Sequence, residues 1–290
     1  MKRIPLLFIL PLALCVALTV RAQELDSAKV KAARGDAEAQ FVLGRAYFRG
    51  EGVSKNYEKA VALYRKSAAK GNPKAQHNLA VCYLQGLGTK HDDNQAFKWF
   101  RAAANQGIAM SQDSFGLMLA NGQGVKKDCP QAAEWYRKAA QQGFALAQLH
   151  LGHLYYFGDE GVTKNYQEAL KWLSMAANQG NATAQNTVGV IYQEGLGVPK
   201  DEKEAFKWYC KAAEQGEEKA QSNLGEIYAG GFVVEKDVAK AYQWLKLSAD
   251  QGDIAAERLL EGLVSGMTPA EISRGRQLWQ EYRARQAPQL

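Results

Sequence analysis

Apolar residues recur along this chain at spacings of three and four. From Ala39, the residues Leu43, Ala46 and Tyr47 fall on one side of a helix, and Ala60, Leu63, Tyr64 and Ala68 do the same after a break. Gly50-Glu51-Gly52 stands between the two stripes and Gly71 follows the second. Glycines there supply the positive φ that a helix stop and turn require. The pattern predicts two antiparallel helices of roughly three turns each, too short to be stable alone in water. The unit then returns. Its closing glycine recurs at Gly71, Gly107, Gly143, Gly180, Gly216 and Gly252, at separations of 36, 36, 37, 36 and 36 residues. The longer spacing comes from the Gly158-Asp159-Glu160-Gly161 loop. Six copies follow, at 36–71, 72–107, 108–143, 144–180, 181–216 and 217–252. Stacking buries their stripes, and stability becomes approximately a sum over neighbours.

Three columns bear on packing. Gly44, Ala80, Gly116, Gly152, Gly189 and Gly225 lie inside the first helix of each copy. A mid-helix glycine costs about 1 kcal/mol relative to alanine, so this column predicts close approach by a neighbouring helix. Leu63, Trp99, Trp135, Trp172, Trp208 and Trp244 form a column of the second helix. It reads as a stacked core rib, with an aromatic ligand ladder as the alternative. Gln40, Gln76, Gln112, Gln148, Gln185 and Gln221 sit on the edge of the buried stripe. A buried amide must find partners, so this column is expected to tie helix starts to the adjacent copy.

The run Ala-x-Ala-Gln-x-x-Leu-Gly-x-x-Tyr-x-x-Gly-x-Gly-Val, then Ala-x-x-Trp-Tyr-x-x-Ala-Ala-x-x-Gly, resembles the Sel1-like repeat. The copy ending at Gly216 fits best, while the sixth has Val233 in place of the second loop glycine and the third has Leu119 in the tyrosine column. The resemblance implies a tetratricopeptide-like, all-α fold: a right-handed α/α solenoid of six hairpins with terminal capping helices. It also implies a scaffold or adaptor role, often in bacterial envelope or host-contact proteins or in the eukaryotic secretory lumen. It brings no fixed ligand-binding residues. Cysteine-rich relatives staple each hairpin with a pair, whereas Cys82, Cys129 and Cys210 fall in different columns.

Residues 1–22 read as a signal peptide. Lys2 and Arg3 precede an apolar run from Ile4 to Val20, and Val20-Arg21-Ala22 offers small residues for cleavage after Ala22. The run is short for a membrane span and holds Pro5 and Pro11, so no stable span is expected after cleavage and a retained anchor is the alternative. Cys15 lacks the small preceding residue of a lipidation site. A periplasmic or secreted bacterial chain follows. Residues 23–35 (Leu25, Ala28, Val30, Ala32, Ala33) resemble a second helix without its first, and so an N-terminal cap. Residues 253–290 form the other end. Glu257 and Glu261 there replace the glutamine and the glycine, so the stack stops. Thr268-Pro269-Ala270-Glu271 then opens a closing helix with Ile272, Leu278, Trp279 and Tyr282 on its apolar face.

The chain is 47% hydrophobic and 23% charged, with a formal net charge of +6 that becomes +3 without Lys2, Arg3 and Arg21. That is no dense basic face, and nucleic acid is excluded as a partner. Three cysteines after cleavage leave at least one free thiol or an intermolecular bridge. Ser67-Ala68-Ala69-Lys70 matches the Ser-x-x-Lys of penicillin-recognising enzymes, and some Sel1-like proteins are described as β-lactamase-like. The companion motifs are missing and Ser67 lies in a small-residue column, so the match reads as coincidence. His150 and His153 could share a metal only with a third ligand from Asp159 or Glu160. No catalytic residue, cofactor or metal is implied.

Binding is expected on the first helices, which line the concave side of this architecture. On a wheel centred on Leu43, Phe41, Arg45 and Phe48 point the opposite way. Their columns include His77, Asp113, Leu149 and Asn186; Val81, Leu117, His153 and Val190; and Leu84, Tyr156 and Gln193. Chemical type changes at each copy, which suits an irregular partner and equally suits unconstrained solvent positions. Large apolar groups at Phe41, Phe48, Leu84, Leu117, Leu149, Tyr156 and Phe157 on a face open to water favour a protein or peptide ligand. The alternative functions are a β-lactamase-like or cell-wall-peptide-binding protein and a structural stalk.

Overall fold

The computed structural model describes residues 24–286. The expected signal segment with Cys15 and the end of the tail lie outside them. The chain divides into two compact units, one through Gln142 and the other from Gly143.

The first unit opens with helix α1 (residues 24–33). Hairpins α2 (Ala37–Arg49) with α3 (Tyr57–Ala69), α4 (Pro73–Gln85) with α5 (Asp93–Asn105), and α6 (Ala109–Asn121) with α7 (Cys129–Gln141) follow. In the second unit the hairpins are α8 (Ala145–Phe157) with α9 (Tyr166–Asn178), α10 (Ala182–Glu194) with α11 (Glu202–Glu214), and α12 (Glu218–Gly230) with α13 (Val238–Ala249). Helices α14 (Ile254–Ser265) and α15 (Pro269–Gln286) close it. No strand occurs among the described residues; only Asp159 and Val162 form an isolated bridge in the longer loop.

Local chemistry sets the boundaries. Asp36, Asn72, Asn181 and Asp253 cap first-helix starts by accepting a backbone N–H, and Asn56, Asp92, Asp128, Asn165, Asp201 and Asp237 cap second helices. Ile108 and Phe144 stand in the first-helix cap column and make no such bond. First helices stop at left-handed glycines such as Gly50 (φ 75°) and Gly195 (φ 66°).

The helix that approaches the glycine column closely is the second helix of its own hairpin, through a side chain and, at Gly116, Gly152 and Gly225, also through backbone atoms 3.3, 3.1 and 3.2 Å from where a Cβ would lie. A Cβ on Gly44 would lie 2.8 Å from the Tyr64 ring, on Gly116 2.8 Å from Tyr136, on Gly152 2.5 Å from Leu173, on Gly189 2.6 Å from Tyr209 and on Gly225 2.5 Å from Leu245. These facing residues, with Phe100 in the second copy, form a column of large side chains buried to 3% exposure or less. Each buried ring or leucine contributes roughly 2 kcal/mol. The tryptophan column, one residue earlier and so about 100° around the helix, is pushed to the rim. Trp172 and Trp208 are buried, but Trp99, Trp135 and Trp244 are only half-buried. Lysines cover the rim rings, with Lys138 Nζ 3.9 Å from the Trp135 centroid and Lys211 Nζ 4.0 Å from that of Trp208.

The glutamine column joins three helices. Its Nε2 donates to a last-turn carbonyl of the preceding second helix: Gln40 to Ala32, Gln76 to Ala68, Gln112 to Ala104, Gln185 to Ala177 and Gln221 to Ala213. Its Oε1 accepts from a glutamine just past the second helix of its own hairpin: Gln106 to Gln76, Gln142 to Gln112, Gln179 to Gln148, Gln215 to Gln185 and Gln251 to Gln221. In the first copy Lys70 stands in that place and turns to the Gly35 carbonyl, so the Gln40 Oε1 is buried without a partner.

At the ends, α1 buries Ala28 and Ala32. Val30 and Ala33, expected on its apolar face, are exposed, because Leu25, Ala28 and Ala32 already complete one stripe. Helix α14 buries only Ala256. The Thr268–Glu271 capping box forms, and α15 packs on α13 with Gly275 against the Tyr242 ring and the Tyr282 hydroxyl on the Ala213 carbonyl at 3.0 Å. Ile272, Leu278 and Trp279 are half-buried.

Candidate partner-binding surface

The expected binding residues separate by burial. Phe41, Asp113 and Leu149 were placed on an open face, but all three are buried. Phe41 packs on Tyr64 (centroids 6.1 Å) under Arg45, and Leu149 joins the core around Leu173, because the two-residue offset from Leu43 or Leu151 still falls inside the crowded seam between successive helices.

A second set is spent on rungs between successive first helices. His77 Nδ1 meets Ser111 Oγ at 2.8 Å, His153 Nε2 meets Thr187 Oγ1 at 3.1 Å, and Asn223 donates to Asn186 Oδ1 at 3.0 Å. Burial lowers the pKa of His77 to about 4, and burial with the charge of His150 lowers that of His153 to about 4. Both are neutral at pH 7 and act as hydrogen-bonding spacers. Gln193 accepts from the Tyr209 hydroxyl at 2.8 Å.

The remainder faces water in whole or in part. In the first unit Arg45 and Leu117 are exposed, while Phe48, Val81 and Leu84 are half-buried; Phe48 packs edge-on against Tyr57 at 5.0 Å. In the second unit Val190 and Tyr156 are half-buried, and Tyr156 packs between Phe157 (4.8 Å) and Tyr166 (5.7 Å). Phe157, at the end of α8, is 62% exposed. Phe232, in the loop after α12, is 89% exposed. The sequence reading missed Phe232. Its signal was the sixth copy's departure from the loop pattern, Gly230-Gly231-Phe232-Val233.

Between α10, α11 and α12 opens a cavity of about 230 Å³. Glu194, Glu202, Glu226, Lys200, Ile227 and Phe232 are among the residues lining it.

The residues considered for chemistry are structural. Ser67 is fully buried and its Oγ donates to the Ala37 carbonyl at 2.6 Å, as Ser248 does to Glu218 at 2.9 Å. Ser67 and Ser248 thus each pin the start of the first helix of their own copy. Cys82, Cys129 and Cys210 form no disulfide with a described residue, and burial pushes the pKa of Cys82 and of Cys210 up to about 11. Among the described residues no three His, Cys, Asp or Glu side chains are grouped to hold a metal ion. No described helix is long and apolar enough to cross a membrane.

A model of the Sel1 repeat family matches residues 37–72, 73–108, 109–144, 145–181, 182–217 and 218–253, each one residue later than the copies delimited by their closing glycines. No match was found among curated proteins. Among solved structures, the chain is similar to a Sel1 repeat protein from Oxalobacter formigenes, with 33% identity and a TM-score of 0.71 over 84% of this chain and 96% of that one. It also resembles c5321, a protective antigen present in uropathogenic Escherichia coli strains that displays an SLR fold, with 32% identity over 90% of this chain and 72% of that one and a TM-score of 0.46. With six repeats in register and 33% identity along nearly all of a solved Sel1 structure, the chain belongs to the Sel1 repeat family, solenoids of helical hairpins that serve in general as protein-interaction scaffolds.

Proposed function

We propose that this protein is an exported scaffold without catalysis of its own, which holds a partner protein or peptide along the surface of its first helices. The observation that carries this reading is the exposure of two aromatic rings on the same unit, Phe157 (62%) and Phe232 (89%). Burying such rings on a partner contributes roughly 2 kcal/mol each, a driving force that solvent exposure leaves unused. Val190, on the same unit, extends the expected contact surface. Export rests on the charge and hydropathy pattern of residues 1–22, with cleavage after Ala22 delivering the chain to the periplasm or the medium.

The test is capture of partners from an extract of the host's periplasm or culture medium, with mass spectrometry of what co-purifies. Phe157→Ala with Phe232→Ala is expected to lose the captured species while the thermal unfolding curve stays within a degree or so, since neither ring is in the core. Undiminished capture by this variant overturns the surface. The β-lactam reading is tested by nitrocefin hydrolysis. No turnover is expected, because Ser67 is buried and already hydrogen-bonded; turnover abolished by Ser67→Ala overturns the absence of catalysis.

A further inference from the structure

We infer that copies of this chain join end to end, α14 of one pairing with α1 of the next to complete a further hairpin. The two helices are halves of one unit. Helix α14 holds the place of a first helix, but α15 packs on α13 and leaves α14 without a second helix of its own. Helix α1 holds the place of a second helix, and among the described residues no first helix precedes it. The gap shows in burial. Leu260 is half-buried, although its column is at 7% exposure or less in all six copies, at Leu43, Leu79, Phe115, Leu151, Val188 and Leu224. Leu43 shares a core with Ala32 of the preceding second helix, and Leu63 of its own second helix packs against that core. Leu260 has the first of these neighbours, α13, and lacks the other. Burying Leu260 and the half-buried Val264 takes the same contact that closes every other hairpin.

The repeat columns are complementary at the two ends. In complete hairpins the first-helix glutamine accepts from the glutamine just past the second helix, as Gln112 does from Gln142 at 2.7 Å. One repeat beyond Gln221 the acceptor column reaches Glu257, and one repeat before Lys70 the donor column reaches Arg34. A bond between two amides becomes a guanidinium on a carboxylate, with donor and acceptor in the same places. Size changes hands as well. Gly225, where a Cβ would lie 2.5 Å from Leu245, is followed in its column by Glu261, and the column of Tyr64 and Leu245 is preceded by Ala28. Glu261 bars a second helix that brings tyrosine or leucine to that spot and admits one that brings alanine. Lys31, three residues after Ala28 and so on the same face, meets the Glu261 carboxylate. Arg34, Lys31, Glu257 and Glu261 are all exposed in the single chain. A second α14 in the same seat would set glutamates against glutamates. Each copy carries both halves, so the joint is head to tail and repeats, closing into a ring or running on. It uses neither Phe157 nor Phe232 and stands apart from the partner surface proposed above.

The test is sedimentation velocity of the chain from Gln23 over a concentration series reaching its solubility limit. Average mass is expected to rise with concentration, and added salt should lower it. Arg34→Glu and Glu257→Arg each set like charges in the joint and should weaken association at least tenfold. The chain carrying both reverses the pair instead of breaking it and should regain most of the association. Circular dichroism melting checks that each variant folds as the unaltered chain does; if one does not, Lys31→Glu with Glu261→Lys repeats the reversal at the second pair. A chain that stays monomeric throughout, association indifferent to either single reversal, or a loss that the double reversal does not regain overturns the joint.

Discussion

Replacing Gln185 by leucine tests the three-helix tie most directly. The change keeps the volume and removes two hydrogen bonds, Gln185 Nε2 to the Ala177 carbonyl at 3.0 Å and Gln215 Nε2 to Gln185 Oε1 at 2.7 Å. The Ala177 carbonyl keeps the Gly180 N–H, and Gln215 is exposed and keeps the Lys211 carbonyl, so neither group is fully orphaned. At about 1 kcal/mol per bond, the expected loss is about 2 kcal/mol. Gln40→Leu provides the internal control. That side chain makes one bond, to Ala32 at 3.2 Å, and buries an oxygen with no partner, so deleting it should change stability by less than about 1 kcal/mol. Lys70→Gln should supply the missing donor, stabilise the first hairpin by about 1 kcal/mol and make Gln40→Leu as costly as Gln185→Leu. Urea unfolding followed by circular dichroism at 222 nm reads all five chains, with each transition fitted separately because a repeat array need not unfold in one step. Equal losses for Gln185→Leu and Gln40→Leu in the natural background, or no coupling between positions 40 and 70, would refute the tie.

Gly189→Ala should destabilise by about 1 kcal/mol, since overpacking against the Tyr209 ring outweighs the gain in helix propensity, whereas Gly262→Ala, where a Cβ meets nothing within 4 Å, should stabilise by a similar amount; melting temperatures of both variants check the sign. His77 and His153 have folded pKa values of about 4 against 6.5, so their contribution is full above pH 6.5 and falls as pH drops from 6.5 toward 4. Between pH 7 and 5 each should forfeit roughly 1–2 kcal/mol, and His77→Asn, which keeps an acceptor for Ser111, should flatten that part of a stability–pH curve. In the chain from Gln23, dithionitrobenzoate should label the cysteines slowly until urea unfolds it, and no intermolecular disulfide should form on non-reducing gels, because Cys82 and Cys129 are buried, Cys210 is half-buried, and burial raises the pKa of Cys82 and of Cys210.

Much of this molecule was legible from one stretch read six times. Spacing of Leu43, Tyr47, Ala60 and Tyr64 and the recurrence of Gly71 were enough for the helices, the hairpins and their number, because local periodicity and helix stops are properties of the chain itself. The capping box at Thr268 and Glu271 was readable for the same reason. Three assignments needed the tertiary structure. Which ring fills the space left by Gly44 or Gly189 depends on how one helix lies across another, so the tyrosine column took the core and the tryptophans took the rim. Phe41 and Leu149 were sent to an open face by a single-helix wheel, which knows nothing of the adjacent helix that covers them. Phe232 was passed over because no repeat pattern marks it; only the fold places its ring over Gly230 beside Glu226. Helix and turn follow from neighbours three or four residues away, whereas burial and side-chain hydrogen bonding on the first-helix face follow from neighbours some 34 to 37 residues away, as with His77–Ser111 and Asn186–Asn223. Those separations are fixed only when the hairpins stack.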